Sequence, residues 1–145
     1  MGVMKELQRF ADISPTGLLH KTVCETQISG YSLPANTLVL ANLAACHRSR
    51  KFWPEPDVFN PENFLDHGKL VTDKEGFLPY GIGPRVCPGA ELADMQLFLM
   101  MSNLLTVYTM TIPEGDEGEI GTQFEAGTSV LRNPKPYRVI FKLKD

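Results

Sequence analysis

An α+β fold, mostly helical with a few short strands, is predicted by three features of this sequence. A run from Pro88 to Val107 is apolar over most of a helical circumference, the length and composition of a core helix. Short β-prone stretches recur between turn residues at 22–40, 107–112 and 137–142. A third stretch, Phe52 to Pro84, has neither period and mixes prolines with aromatics and glycines.

Residues 3 to about 12 form the first helix, which stops before Ser14-Pro15 because a residue preceding proline disfavours helical geometry. Thr22 to Ile28 alternates loosely as a strand. Gly30 to Asn36 supplies turn residues, and Thr37 to Leu40 is the expected returning strand. Ala41 to His47 is expected to be a short helix. Pro54, Pro56, Pro61, Pro79 and Pro84 then mark an ordered but irregular segment, of a length that is unusual in a domain unless it is functional. Pro88 suits a first helical turn, where its missing N–H would be unpaired anyway. The helix to Val107 is apolar around most of its circumference and is expected to be deeply buried. Val107 to Ile112 and Tyr137 to Lys142 complete the strands, with an exposed acidic, glycine-rich loop over Pro113 to Gly121 between them.

At 145 residues one domain is expected. A net charge of -3 argues against a general nucleic-acid binder. Three cysteines (Cys24, Cys46 and Cys87) form neither a disulfide framework nor a zinc spacing. No secretory signal or membrane-spanning run is visible, and Glu6 breaks the myristoylation pattern, so no anchor is expected in this chain.

The segment Phe77 to Gly89 carries the chemistry. It is a glycine-rich loop that delivers Cys87 to the start of a helix. Glycines permit positive φ and let backbone approach a flat, bulky partner. A helix N-terminus favours a thiolate, and Arg85 adds a fixed positive charge. Cys24 and Cys46 have no such surroundings and are expected to be small packed side chains. The loop resembles the haem-binding signature of the cytochrome P-450 family, aromatic-x-x-Gly-x-Arg-x-Cys-x-Gly. Gly83, Arg85, Cys87 and Gly89 match, and Tyr80 stands where the family usually has Phe.

The resemblance extends along the chain. Glu6-Leu7-Gln8-Arg9 is similar to the family's Glu-x-x-Arg motif, whose spacing places both side chains on one helical face. Phe59 to Phe64 resembles the segment that closes an ion-pair network with it. Asn63 replaces the commoner Arg there, so a weaker network is expected. Phe52, Trp53, Phe59 and Phe64 are read as core. His20 falls where the family places a donor to a haem propionate, with Arg85 as a second donor to the same group; otherwise His20 is a surface residue beside Lys21. Thr16 to Leu19 and the turn near Thr128 to Leu131 are expected to face substrate. His47, Arg48, Arg50 and Lys51, with Lys69 and Lys74, are read as a solvated face, or as a surface that steers an acidic electron donor. His67 has no assigned role.

What the resemblance implies is the C-terminal, haem-binding portion of a single larger cytochrome P-450 domain, similar to microsomal animal members. Haem b would be the cofactor, with Cys87 as the axial ligand of its iron. The whole protein would be a monooxygenase that inserts one atom of dioxygen into an apolar small molecule, using electrons from an NADPH-dependent reductase at the endoplasmic reticulum membrane. The N-terminal anchor and the distal helix that activates oxygen are expected to lie outside this chain, leaving it inactive alone. The alternative is a short product that binds haem weakly or not at all, without catalysis.

Overall fold

The computed structural model describes residues 1–116 and 131–144. Helix α1 (Gly2–Ala11) buries Gly2, Met4, Glu6 and Arg9 and packs on a 3-10 turn at Pro61–Phe64. Gly2 makes the approach possible, because a Cβ there would lie 3.2 Å from the Pro61 carbonyl oxygen. The helix ends at Asp12, whose left-handed backbone (φ 46) lets its N–H return to the Gln8 carbonyl. Asp tolerates that conformation better than most residues.

The predicted hairpin forms in a different register. Strand β1 (His20–Lys21) is followed by β2 (Thr26–Ile28) and β3 (Tyr31–Leu33), and the last two pair with each other. Ser29 and Gly30 both take positive φ, which makes the tight two-residue turn whose twist matches the flanking strands. The returning strand is therefore Tyr31–Leu33, inside the expected turn. The later strand, β4 (Leu38–Val39), pairs with His20–Lys21 instead. Thr22 closes that second ladder, donating from its hydroxyl to the Pro34 carbonyl and accepting from the Thr37 N–H.

Helix α2 (Leu43–His47) is capped by the Asn42 side chain, which accepts from the Ala45 N–H. The irregular segment that follows builds the core. Trp53 and Phe64 are fully buried with ring centroids 5.4 Å apart, and Phe77 meets Phe64 edge-on at 4.7 Å. The Trp53 indole N–H is satisfied by the Cys46 carbonyl. Phe52 is only half-buried, and Phe59 is exposed apart from an edge contact with Phe10, so the expectation of core placement holds for Trp53 and Phe64. A small hairpin, β5 (Leu65–Asp66) and β6 (Lys69–Leu70), turns at His67-Gly68 by the same positive-φ device.

Helix α3 (Ala90–Val107) starts two residues after Pro88, with Gly89 as its cap. Its expected deep burial is overturned. None of its residues is buried, and Leu92, Met95, Phe98, Leu99, Met100 and Leu105 are exposed. An all-round apolar sequence demands partners on every side, and the described residues leave much of its surface open, with β7 (Tyr108–Thr111) against its end and hydrogen bonds to Tyr80 and Gln8 near its start. The final pair, β7 with β8 (Ile140–Leu143), is antiparallel and stacks Tyr108 edge-on with Phe141. Residues 117–121 of the predicted acidic loop lie outside the described residues.

Two glycines in left-handed turns give a contrast. A Cβ on Gly76 would sit 2.6 Å from the Phe52 ring, whereas one on Gly68 would meet nothing within 4 Å. Gly68→Ala should cost only the backbone strain of about 1–2 kcal/mol. Gly76→Ala should cost a further ~1–3 kcal/mol for overpacking, as read from urea denaturation of the two variants.

Candidate functional site

Cys87 sits on a loop that stands clear of the core. Residues 82 to 88 are all exposed, and the Cys87 thiol is free. Gly81 and Gly83 both take φ near 77, the left-handed turn geometry that lets the loop double back, whereas Gly89 has φ -96, open to any residue. The return is closed when the Cys87 N–H donates to the Tyr80 carbonyl at 2.9 Å. A short 3-10 turn, Gly83–Arg85, carries the chain between them. Cys87 itself lies three residues ahead of α3, and its carbonyl accepts from the Ala90 N–H.

The base of the loop is tied to two helices through Tyr80. Its hydroxyl donates to Asp94 on α3 at 2.7 Å, and Gln8 on α1 donates from its amide to both the hydroxyl (2.8 Å) and Asp94 (2.6 Å). Burial, then the hydrogen bond to the Asp94 carboxylate, holds the Tyr80 phenol far above its ordinary 10.0. Phenylalanine, the commoner residue at this position in the family, has no hydroxyl to make this clamp.

Beneath it lies the Glu6–Arg9 pair, both fully buried. Arg9 donates from Nε and Nη2 to the two Glu6 oxygens at 2.8 and 2.7 Å. Its remaining donors go to the carbonyls of His47, Pro56 and Val58. All five guanidinium N–H groups are thus used. The Glu6 Oε1 also accepts from the Asn60 N–H (2.8 Å) and the Asn63 amide (3.2 Å). The guanidinium lies 5.1 Å over the Trp53 ring.

His47 corrects the expected basic face. It is 1% exposed, bonded through Nδ1 to Asp12 (2.9 Å) and through Nε2 to the Leu78 N–H (2.9 Å). Arg48 is also tied inward, to the Phe10 and Pro56 carbonyls. The sequence signal was present: Leu43 and His47 are four residues apart on one face of an apolar helix, which puts both indoors. Gln8, Asp12 and Asp94 left no comparable trace. Lys51 and Lys74 lie over the Phe52 and Trp53 rings.

His20 and Arg85 are exposed and make no side-chain hydrogen bond or ion pair among the described residues. Thr16 bridges to Asn42, and Leu18 and Leu19 project into solvent. Of the 128–131 turn, only Leu131 lies within the described residues.

A family model described as Cytochrome P450 matches residues 2–141. The chain belongs to the cytochrome P450 family. It is 44% identical over 117 residues to Cytochrome P450 2U1 of Rattus norvegicus, an alignment covering 81% of this chain and 22% of that protein. It is 34% identical over 140 residues to Cytochrome P450 2L1 of Panulirus argus (97% and 28%), and 36% identical over 139 residues to Cytochrome P450 2B12 of Rattus norvegicus (96% and 28%). The chain thus spans roughly a quarter of the length of these relatives. The family's cofactor is haem, and its members are haem-thiolate monooxygenases.

The residues present fit that group. The cysteine thiol is exposed, and a Cβ built on Gly81 or Gly83 meets nothing within 4 Å. At Gly89 the nearest atom is the Cys87 sulfur itself, at 4.0 Å. Bare backbone beside an accessible sulfur leaves room for a flat macrocycle, with the apolar Ile82 and Val86 exposed alongside.

Two outcomes test this arrangement. Arg9→Ala leaves the Glu6 carboxylate buried without its cation and should lower folding stability by about 3–5 kcal/mol in chemical denaturation. Tyr80 binds its proton more tightly folded than unfolded, so its contribution is full below pH 10 and is lost as pH rises from there toward the folded value. Tyr80→Phe should therefore flatten the fall of stability above pH 10 and remove a late-ionising phenol from an ultraviolet titration.

Proposed function

We propose that these 145 residues form the haem-binding portion of a monooxygenase acting on an apolar small molecule, with Cys87 as the residue whose thiolate would hold the iron. The observation that carries this reading is a free, exposed cysteine closing a glycine loop that bears the family's haem signature. Haem, when bound, supplies the chemistry of dioxygen activation and oxygen transfer. The chain's own residues hold and orient it.

Gly81, Gly83 and Gly89 keep the face beside the sulfur bare, and the Tyr80 carbonyl aims the Cys87 backbone by taking its N–H. Arg85 and His20 are donors suited to one haem propionate, as both are exposed and make no side-chain hydrogen bond or ion pair among the described residues. Thr16 to Leu19 offers apolar side chains toward substrate, and the 128–131 turn is assigned the same role. Arg50, Lys51, Lys69 and Lys74 supply the positive charge that would steer an NADPH-dependent reductase. The full-length protein is placed at the endoplasmic reticulum membrane, as for the microsomal type it resembles. Among the described residues no helix is long and apolar enough to cross a membrane.

The chain's share of its relatives' length supports reading it as one portion of a single larger domain, inactive by itself. The uncovered apolar surface of α3 favours a second reading for the isolated residues, weak haem capture without turnover.

The carbon monoxide difference spectrum of the reduced, haem-loaded chain reports thiolate ligation directly. Cys24→Ser and Cys46→Ser should keep the thiolate signature, and Cys87→Ser should remove it. Retention of that signature in Cys87→Ser would rule out the assignment.

A further inference from the structure

The exposed cysteine loop has no packing of its own, so its position is set at its base. Leu78 is gripped there on both backbone groups: its carbonyl accepts from the Gly81 N–H at 3.2 Å, and its N–H donates to His47 Nε2 at 2.9 Å. The Tyr80 carbonyl, two residues on, holds the Cys87 N–H. A short series of hydrogen bonds therefore runs from the buried imidazole to the cysteine backbone.

A backbone N–H can only donate, so Nε2 must offer its lone pair to Leu78. The ring proton then belongs on Nδ1, where it donates to Asp12 Oδ1 at 2.9 Å. Asp12 is itself fixed. It caps α1 with its backbone, and its second oxygen accepts from Arg132 at 3.1 Å. The His47 carbonyl takes an Arg9 N–H, so ring and backbone are both clamped. Burial at 1% exposure keeps water from substituting for any of these partners.

We propose that His47 is a positioning residue for the haem ligand: Asp12 fixes its tautomer, Nε2 anchors Leu78, and the anchored loop base sets where Cys87 lies. The assignment rests on the haem reading for its purpose but on this chain's geometry for its substance, so its test does not need haem.

Two amides of nearly equal shape separate the roles of the two ring nitrogens. In His47→Gln the side-chain oxygen reaches the place of Nε2 and can still accept from Leu78. In His47→Asn the amide reaches only the place of Nδ1 and can pair only with Asp12. Amide hydrogen exchange at Leu78 and Cys87 is measured on the 145-residue chain and both variants, with imidazole 15N shifts of the wild type. An Nδ1–H tautomer is expected. Protection at both amides should hold in His47→Gln and fall about tenfold or more in His47→Asn, the size of a lost buried hydrogen bond. A role that merely fills space would treat the two variants alike. Equal protection in the two variants, loss at Leu78 without loss at Cys87, or an Nε2–H tautomer would each overturn the proposal. If His47→Asn does not fold, the wild-type tautomer and the Gln variant still decide it. Iron protoporphyrin IX is then added and the reduced carbon monoxide spectrum recorded. Absence of a thiolate signature in the wild type, with the Gln-over-Asn order intact, supports the positioning role and counts against the haem reading alone.

Discussion

A guanidinium does not give up its proton inside a protein, so Arg9 enters the core as a full positive charge and everything around it must answer that charge. Glu6 neutralises it, and three carbonyls from residues 47, 56 and 58 take the donors that Glu6 leaves. The His47 carbonyl closes helix α2, and the other two belong to a segment with almost no regular secondary structure. The irregular backbone between Phe52 and Pro84 gains a fixed shape because part of its hydrogen bonding is directed at one buried cation, as a ladder would direct it in a sheet. Trp53 and Phe64 then pack into the shape so defined. Among the described residues no buried side-chain nitrogen or oxygen is left without a partner, which is the condition under which such a polar core is stable.

Features that depend on neighbours in sequence were legible beforehand. The spacing of Glu6 and Arg9, the proline stop after α1 and the extent of α3 all follow from local rules. The hairpin shows the limit of such reading. Gly30 to Asn36 contains enough turn formers for a long loop, but the chain needs only two positive-φ residues, and it takes them at Ser29 and Gly30. His47 shows another. Beside Arg48, Arg50 and Lys51 it has the look of a solvated charge, and only the fold brings Asp12 and Leu78 to its two nitrogens. The Tyr80 hydroxyl likewise has no meaning until α1 and α3 meet at it. In the candidate site, the loop and its cysteine were written in sequence, whereas the supports beneath them were long-range contacts.

Helix α3 separates two quantities that are easily confused. Its composition reports what a segment needs, and its exposure reports what its surroundings supply. The mismatch explains why a helix read as core lies open to solvent, while the Asp94 link near its start ties it to the loop base.

Asn63 gives the buried cluster a property of its own. With an amide closing the network, the formal charges of Glu6 and Arg9 sum to zero, and the third partner adds only a dipole. Enclosed and without net charge, the cluster draws few dissolved ions, and mobile salt does not enter it. The exposed Arg138–Asp116 pair is the opposite case, a contact that added electrolyte screens. The Glu6–Arg9 cluster is therefore far less sensitive to ionic strength than a surface pair, and brackish and dilute surroundings leave it in place.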